Sequence, residues 1–276
     1  MSSTLFTRIR PRRALAALAA GGIALSIFTR LTMTDAHAAS RPTPPRVFGG
    51  GPSFIALPLE SAQQVNHDTK RLRFKLPTPD SVSGLPLTYE PGHIDFLVKK
   101  YPDGKQSTHL HALQPGDTLR FAVPLKGPKW KPSPSSSPEH ITLVAGGAGV
   151  TPVYQLLQGI LGDKDDTTTT MTLVYGVNTE RDILLQQEFR ALEKRHPGRF
   201  SAVYTMTVPQ EDGQQESRKG RVTKELLDEL VPPSQRGRAY VCGPPSMEAS
   251  LTGGRGTRDG GILQQLGYRK ENIFSF

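Results

Sequence analysis

Leu143-Val-Ala-Gly-Gly-Ala-Gly-Val-Thr-Pro152 reads as an apolar strand that runs into a glycine-rich turn and opens a helix. Glycines at 146, 147 and 149 remove the Cβ atoms that would hold a ligand away from the backbone. Pro152 suits the first helical turn, where an amide hydrogen would lack an acceptor anyway. Unpaired amides and the helix dipole then favour an anion, typically a pyrophosphate. A tight strand-to-helix turn that binds nothing produces the same letters. The stretch is also not Gly-x-Gly-x-x-Gly, so the ordinary dinucleotide fingerprint does not apply.

Downstream, strands at 141–145, 171–177, 200–206, 239–242 and 273–276 alternate with helices at 152–161, 181–195, 223–230, a short one from Pro245, and 261–266. That alternation predicts a doubly wound parallel sheet over 139–276, with ligands at the carboxyl ends of its strands. Three glycine-bearing strand ends fall there: 146–151, Gly176-Val-Asn178 and Cys242-Gly-Pro-Pro245. Thr167–Thr170 reads as a surface loop.

Upstream, over 54–125, the grammar is β. Strands are expected at 54–59, 69–76, 93–100 and 118–123, separated by the turn sequences Asp103-Gly104 and Pro115-Gly116-Asp117. In the second, Leu72, Phe74 and Leu76 share one face and charges the other. Antiparallel strands with no long helix suggest a small β barrel. Residues 126–138, rich in proline and serine, form a connector to the α/β domain.

Residues 1–46 carry seven arginines against one acid, Asp35, so they hold +6 of the chain's net +9. The basic balance is therefore poor support for nucleic-acid binding, and no RNP pattern, zinc finger or aromatic–basic interleaving occurs. Over 1–34, several Ser and Thr, five arginines and no acid have the composition of a mitochondrial targeting segment. The apolar run 14–28, extended through Met33 with Arg30 snorkelling, reaches the length of a single membrane-anchor helix. The competing reading is a cleaved export signal ending near Ala36-His37-Ala38-Ala39. Residues 35–53, with Pro42, Pro44, Pro45 and Gly49-Gly-Gly51, read as a linker. The lone Cys242 excludes an internal disulfide and a cysteine-held cluster.

Several residues have bland readings beside the functional ones. Cys242 alone is an ordinary half-buried small residue, and Asp182 alone an acid at a helix N-terminus. His109 and His111 flank Leu110 and suggest either a metal pair or a helix packed through its leucine. Lys126, Lys129 and Lys131 could steer an acidic partner or simply be solvated.

The combination of Gly-Gly-x-Gly-Val-Thr-Pro152, Cys242-Gly-Pro-Pro-Ser-Met247 and the ending Gly267-Tyr-x-x-x-x-Ile-Phe-Ser-Phe276 resembles the ferredoxin-NADP⁺ reductase superfamily. Val65-Asn-His-Asp-Thr-Lys-Arg-Leu-Arg-Phe74, Gly104-Lys-Gln-Ser-Thr-His-Leu110 and Asp182-Ile-Leu-Leu185 narrow the resemblance to the NADH–cytochrome b5 reductases of fungal mitochondria, from about Phe48 to the last residue. The resemblance implies an FAD-binding barrel, an NAD-binding domain, and hydride transfer from NADH to FAD followed by single electrons to cytochrome b5 or a similar haem protein. It implies that Gly146, Gly147 and Gly149 admit the nicotinamide dinucleotide and that Thr151 sits where flavin and nicotinamide meet. Cys242, Gly243, Pro244 and Pro245 would shape the nicotinamide pocket. Asp182 would lie near the adenosine ribose, favouring NADH, and Phe276 near the flavin edge. Leu97 and Lys99 would line the flavin, and Gly104, Lys105, Gln106 and Ser107 would hold its pyrophosphate. Anchoring in the mitochondrial outer membrane, with an intermembrane-space form as an alternative, fits the N-terminus. No catalytic triad or metal-ligand spacing occurs.

The family's Arg-x-Tyr-Thr/Ser flavin motif is missing between Phe48 and Ser137. The only Arg-x-Tyr is Arg238-Ala-Tyr240, in the other domain. Gly84-Leu-Pro-Leu-Thr88 runs directly into Tyr89-Glu-Pro-Gly-His-Ile-Asp95, segments that in the family stand a few tens of residues apart. An internal deletion near 88–89 is expected, leaving the barrel incomplete. Two further readings follow: a flavin-poor NAD-binding pseudoenzyme, or a truncated splice or gene-model variant. The third, the reductase component of an oxygenase, would be expected to carry an iron–sulfur domain; the single cysteine excludes a cluster on this chain and makes this the least favoured reading.

Overall fold

In the segment Thr69-Lys-Arg-Leu-Arg-Phe-Lys75, Leu72 and Phe74 point inward while Arg71, Arg73 and Lys75 point out, a period of two that makes a half-buried strand. The computed structural model describes residues 43–48, 54–85, 90–122, 139–208, 217–254 and 260–276. This strand, β2 (Thr69–Lys75), pairs antiparallel with β1 (Ile55–Gln64) and β3 (His93–Lys99), and β1 pairs antiparallel with β4 (Thr118–Phe121). The order is β3-β2-β1-β4. Leu57, Leu59, Leu72, Phe74 and Ile94 fill the concave side. Phe96 and Phe121, from the two outer strands, stack with ring centroids 5.5 Å apart, and Phe74 meets both edge-on. The sheet is thus curled into a half barrel. Among the described residues, β3 and β4 each have only one strand neighbour.

On the convex side, the Arg73 guanidinium makes two 2.8 Å bonds to its cross-strand partner Asp95. Helix α1 (Lys105–Ala112) is fastened by Lys70 Nζ donating to the His111 carbonyl (2.8 Å) and by the His111 ring against the Val98 carbonyl (2.7 Å). His111 is therefore a packing contact and not half of a metal pair.

The second sheet is parallel throughout. Its order is β10 (Ile273–Ser275), β9 (Arg238–Cys242), β5 (His140–Gly146), β6 (Thr170–Val177), β7 (Phe200–Met206) and β8 (Ser217–Lys219). Helices α2 (Val150–Gly162) and α3 (Gln186–Arg195) cover one face, burying Val153, Leu157, Ile160 and Phe189 against Leu143, Leu173 and Tyr175. The other face packs Val144, Val174 and Val241 under α4 (Lys224–Leu230), α5 (Pro245–Thr252) and α6 (Ile262–Gln265). Near-continuous apolar strands between two helical layers are what such a sheet requires.

Four expectations are corrected. β1 continues to Gln64 rather than stopping at 59. The helix expected at 181–195 starts at Gln186, because Leu185 takes a left-handed conformation (φ 60°) and residues 180–182 form a separate 3₁₀ turn. β8 is an extra edge strand with no apolar signature. The linker expected to run to residue 53 is already docked at Phe48, which is buried and donates its amide to Ser83 (2.7 Å). The anchor expected over 1–34, the connector 126–138 with its three lysines, and residues 86–89 at the expected deletion lie outside the described residues. Among the described residues, no helix is long and apolar enough to cross a membrane.

Because the curl rests on three phenylalanines, Phe121→Ala is expected to lower unfolding free energy by about 3 kcal/mol, read from urea denaturation.

Candidate active-site cleft

The strands β5 and β9 are neighbours, and the chain moves away from β5 in opposite directions before and after β9. Ligands of open α/β sheets bind at such a switch point. Here the turn after β5, with Gly147–Gly149 in a 3₁₀ conformation, meets the turn after β9, Cys242 to Pro245. The two backbones touch. A Cβ built on Gly149 would lie 2.3 Å from the Cys242 carbonyl oxygen, and one on Gly146 would lie 2.5 Å from Met247 Sδ. Gly147 differs: its Cβ would meet nothing, and it is glycine because φ is +52°. The Tyr175 hydroxyl donates to the Gly147 carbonyl (3.0 Å) and accepts from the Leu184 amide (3.4 Å), fixing the turn from below. Burial raises its pKa well above that of an ordinary phenol.

A cleft of about 910 Å³ opens above these turns. It gathers Lys99, Gly146, Gly147, Gly149, Thr151, Asp182, Cys242, Gly243, Pro244 and Pro245, ten of the residues singled out in the sequence. Thr151 begins α2 and donates its hydroxyl to the Ala148 carbonyl (3.0 Å). Cys242 is half-buried, and burial, with the Glu248 carboxylate adding to it, pushes its thiol up to about 11. Glu248 also accepts the Gly243 amide (3.2 Å). The cysteine is therefore a neutral thiol at physiological pH.

Asp182 is only 9% exposed. Its Oδ2 accepts the Thr179 amide (2.9 Å) and hydroxyl (2.8 Å), closing a capping box, and its Oδ1 faces Lys99 Nζ at 3.4 Å. Burial works against its charge, but Thr179 and Lys99 prevail and hold the carboxyl below the usual range. Lys99 also binds Asp68 at 2.6 Å. Burial opposes its charge too, and the two carboxylates overcome that and raise its pKa. Ligand-type atoms of His67, Asp68 and Asp182 lie within 4.8 Å of one another, and the Lys99 ammonium is the cation among them. With Asn66 Nδ2 donating to the Arg181 carbonyl (3.1 Å), this cluster joins the antiparallel sheet to the parallel one.

The remaining predicted residues lie elsewhere. Leu97 is on β3, two residues before Lys99 and on the same face. Gly104 caps α1, whose first amides, on Lys105, Gln106 and Ser107, have no acceptor within the helix. A Cβ at Gly104 would lie 2.5 Å from Ser107 Oγ, which itself donates to the Gly104 carbonyl and accepts the Tyr101 amide. Phe276 is 41% exposed, its ring 6.0 Å from that of Tyr240. The wall also includes residues that the sequence did not single out, among them Tyr101, Thr205, Thr207 and Arg221. The rule that ligands sit at strand ends points to Thr205 and Thr207 once β7 is placed. Tyr101 and Arg221 carry no sequence signal.

A curled antiparallel sheet beside a parallel α/β sheet, with a cleft at the switch point, defines a two-domain flavin- and pyridine-nucleotide-dependent oxidoreductase. Residues 143–252 match the family described as "Oxidoreductase NAD-binding domain" and residues 87–130 "Oxidoreductase FAD-binding domain". The chain is 39% identical to an NADH-cytochrome b5 reductase 2 from Phaeosphaeria nodorum, covering 83% of this chain and 76% of that one. It is 36% identical to the Aspergillus niger protein of the same name, covering 95% and 89%. Among solved structures, the cytochrome b5 reductase domain of Ulva prolifera nitrate reductase superposes with a TM-score of 0.67 at 27% identity, over 81% of this chain and 97% of that one. The chain belongs to the NADH-cytochrome b5 reductase family, whose cofactors are FAD and NADH. One difference is quantitative. The Phaeosphaeria match runs over 263 positions but takes up 83% of 276 residues here, about 229, so about 34 positions have no counterpart in this chain.

Two outcomes test the geometry. Gly149→Ala is expected to destabilise the protein by about 2 kcal/mol or more, since a carbonyl must move, against about 1 kcal/mol for Gly147→Ala, both by thermal unfolding. Iodoacetamide should alkylate Cys242 slowly at pH 8, with the rate rising as pH approaches 11.

Proposed function

We propose that this chain passes a hydride from NADH to FAD and then single electrons to cytochrome b5 or a similar haem protein. The observation that carries the reading is the meeting of the 146–149 and 242–245 turns in one cleft with Lys99 of the antiparallel sheet. FAD, when bound, supplies the conversion from a two-electron donor to a one-electron acceptor. The chain's own residues position and shield. Gly147, on which a Cβ would meet nothing, receives the dinucleotide, while Gly146 and Gly149 let the two turns close on each other. Cys242, neutral and flanked by Gly243, Pro244 and Pro245, walls the nicotinamide without placing a charge beside it. Thr151 stands at the mouth of α2 where the two rings meet. Lys99, with Leu97, lines the flavin wall, and Asp182 holds Lys99 in place. Phe276 covers the flavin edge. A single N-terminal helix within 1–34 anchors the protein in the mitochondrial outer membrane, on the strength of the arginine-rich, acid-free composition there.

The fit to FAD is uneven. The N-terminus of α1 suits a pyrophosphate: its amides are open, and a side chain at Gly104 would crowd Ser107. The flavin side is short of structure. β3 and β4 run in opposite directions, because β1 is antiparallel to both β2 and β4, and β2 to β3. A single strand between them would be parallel to one of them. Closure with antiparallel pairs throughout takes two strands, and about 34 missing positions suffice for two strands of about six residues and their turns. We place this missing hairpin at 88–89, where the Arg-x-Tyr-Thr/Ser motif would stand. Its loss removes a charge-assisted phosphate contact and weakens FAD binding at least about tenfold.

This gives the second reading, a flavin-poor NAD-binding protein, a definite test. Purified protein should show substoichiometric absorbance near 450 nm. NADH-dependent ferricyanide reduction should rise on adding FAD, and grafting the Phaeosphaeria segment between Thr88 and Tyr89 should raise occupancy. NAD⁺ binding without ferricyanide reduction at saturating FAD would establish the second reading. Stoichiometric flavin on isolation would refute weakened binding.

A further inference from the structure

At the end of the cleft away from Cys242 lie the carboxyl ends of β6 and β7 and the residues just after β8: Gly176, Asn178, Thr205, Thr207 and Arg221. Thr205 is 1% exposed, and its Oγ1 has no hydrogen-bond partner. It sits beside Gly176, on which a Cβ would lie 3.3 Å from that oxygen. A buried hydroxyl left unpaired is costly, and a cleft wall that keeps one is suited to a ligand atom. Arg221 stands exposed on the rim without a hydrogen-bond or ion-pair partner among the described residues, whereas nearby Arg218 is gripped by Glu229 at 2.6 and 3.2 Å. Among the described residues lining the cleft, the acid that would repel a phosphate is Asp182. Its Oδ2 is committed to Thr179, and its Oδ1 faces the Lys99 ammonium, which balances its charge.

We infer that this end of the cleft accepts a ribose bearing a 2′-phosphate, so that the chain takes NADPH as well as NADH, with Arg221 as the residue that determines it. The inference rests on the nicotinamide-dinucleotide reading of the cleft. A guanidinium presents a planar fork that pairs two phosphate oxygens at once, and an arginine in this role distinguishes NADP sites from NAD sites. Thr205 supplies a hydroxyl to the nucleoside irrespective of the phosphate.

The test is calorimetric titration of the full chain with 2′,5′-ADP and with 5′-AMP. The diphosphate should bind about tenfold more tightly. Arg221→Gln should bring the two dissociation constants to a ratio near one, and Arg221→Lys should keep part of the preference as a point charge without the fork. Thr205→Val should weaken both nucleotides alike. Equal binding by the unaltered protein, or a preference that survives Arg221→Gln, overturns the inference while leaving the dinucleotide reading intact. Failure of both nucleotides to bind a protein with a folded circular dichroism spectrum overturns both.

Discussion

The contact on which the cleft depends is between two backbones. Gly149 lies so close to the Cys242 carbonyl that any side chain at 149 would overlap it. Gly146 and Gly243 make room for the Met247 thioether on the other side of the same junction. Two parallel strands that are adjacent in the sheet, β5 and β9, thereby end in turns that interlock instead of diverging. The interlock places Cys242, Pro244 and Pro245 on one side of the cleft and the start of α2 on the other. Three glycines that look like a ligand-binding motif thus divide their work. Two of them, 146 and 149, are required by packing, and only Gly147 is set by its own left-handed backbone. The hydroxyl of Tyr175, reaching up from the core, keeps that last carbonyl paired.

A second constraint relates the two sheets. Lys99 leaves the end of β3 and is shared by Asp68 of its own sheet and Asp182 of the other. Partly exposed ion pairs are worth roughly 0–1 kcal/mol each, so the cluster adds little to stability. Its effect is orientation. Asp182 is rigid because the Thr179 amide and hydroxyl hold it, and Lys99 is drawn to a fixed carboxylate. Any flavin lying along β3 and any nicotinamide lying over Gly147 are thereby referred to one frame.

Much of this was legible in the sequence. Strand–helix alternation after residue 139 predicts the parallel sheet, and the strand over 200–206 coincides with β7. The alternation in 69–75 predicts a strand with one buried face, as observed. What the letters do not show is which atoms are already engaged. Asp182 in Asn178-Thr-Glu-Arg-Asp182 reads equally as a ribose acceptor or a capping acid, and only coordinates reveal its bonds to Thr179 and Lys99. Leu185 ends the preceding turn in a left-handed conformation that nothing about a leucine announces. Thr205 is one threonine in an ordinary apolar strand, and its unpaired hydroxyl is a property of its neighbours. Arg221 lies 14 residues from Thr207 and beyond β8 from Thr205, so their convergence is a product of the fold.

The half barrel explains how a chain short of about 34 family positions still folds. Among the described residues, the two outer strands lack second neighbours and expose unpaired amides and carbonyls along their edges, which water can satisfy. The apolar interior is what must stay dry. Phe96 and Phe121 accomplish this by stacking across the concave side, with Phe74 edge-on between them and Phe48 at 6.3 Å from Phe121. Burial within the described sheet is therefore preserved. Among the described residues, the parallel sheet has both of its faces covered and both of its switch-point turns in place. Core packing in the antiparallel sheet is thus complete with the four described strands alone.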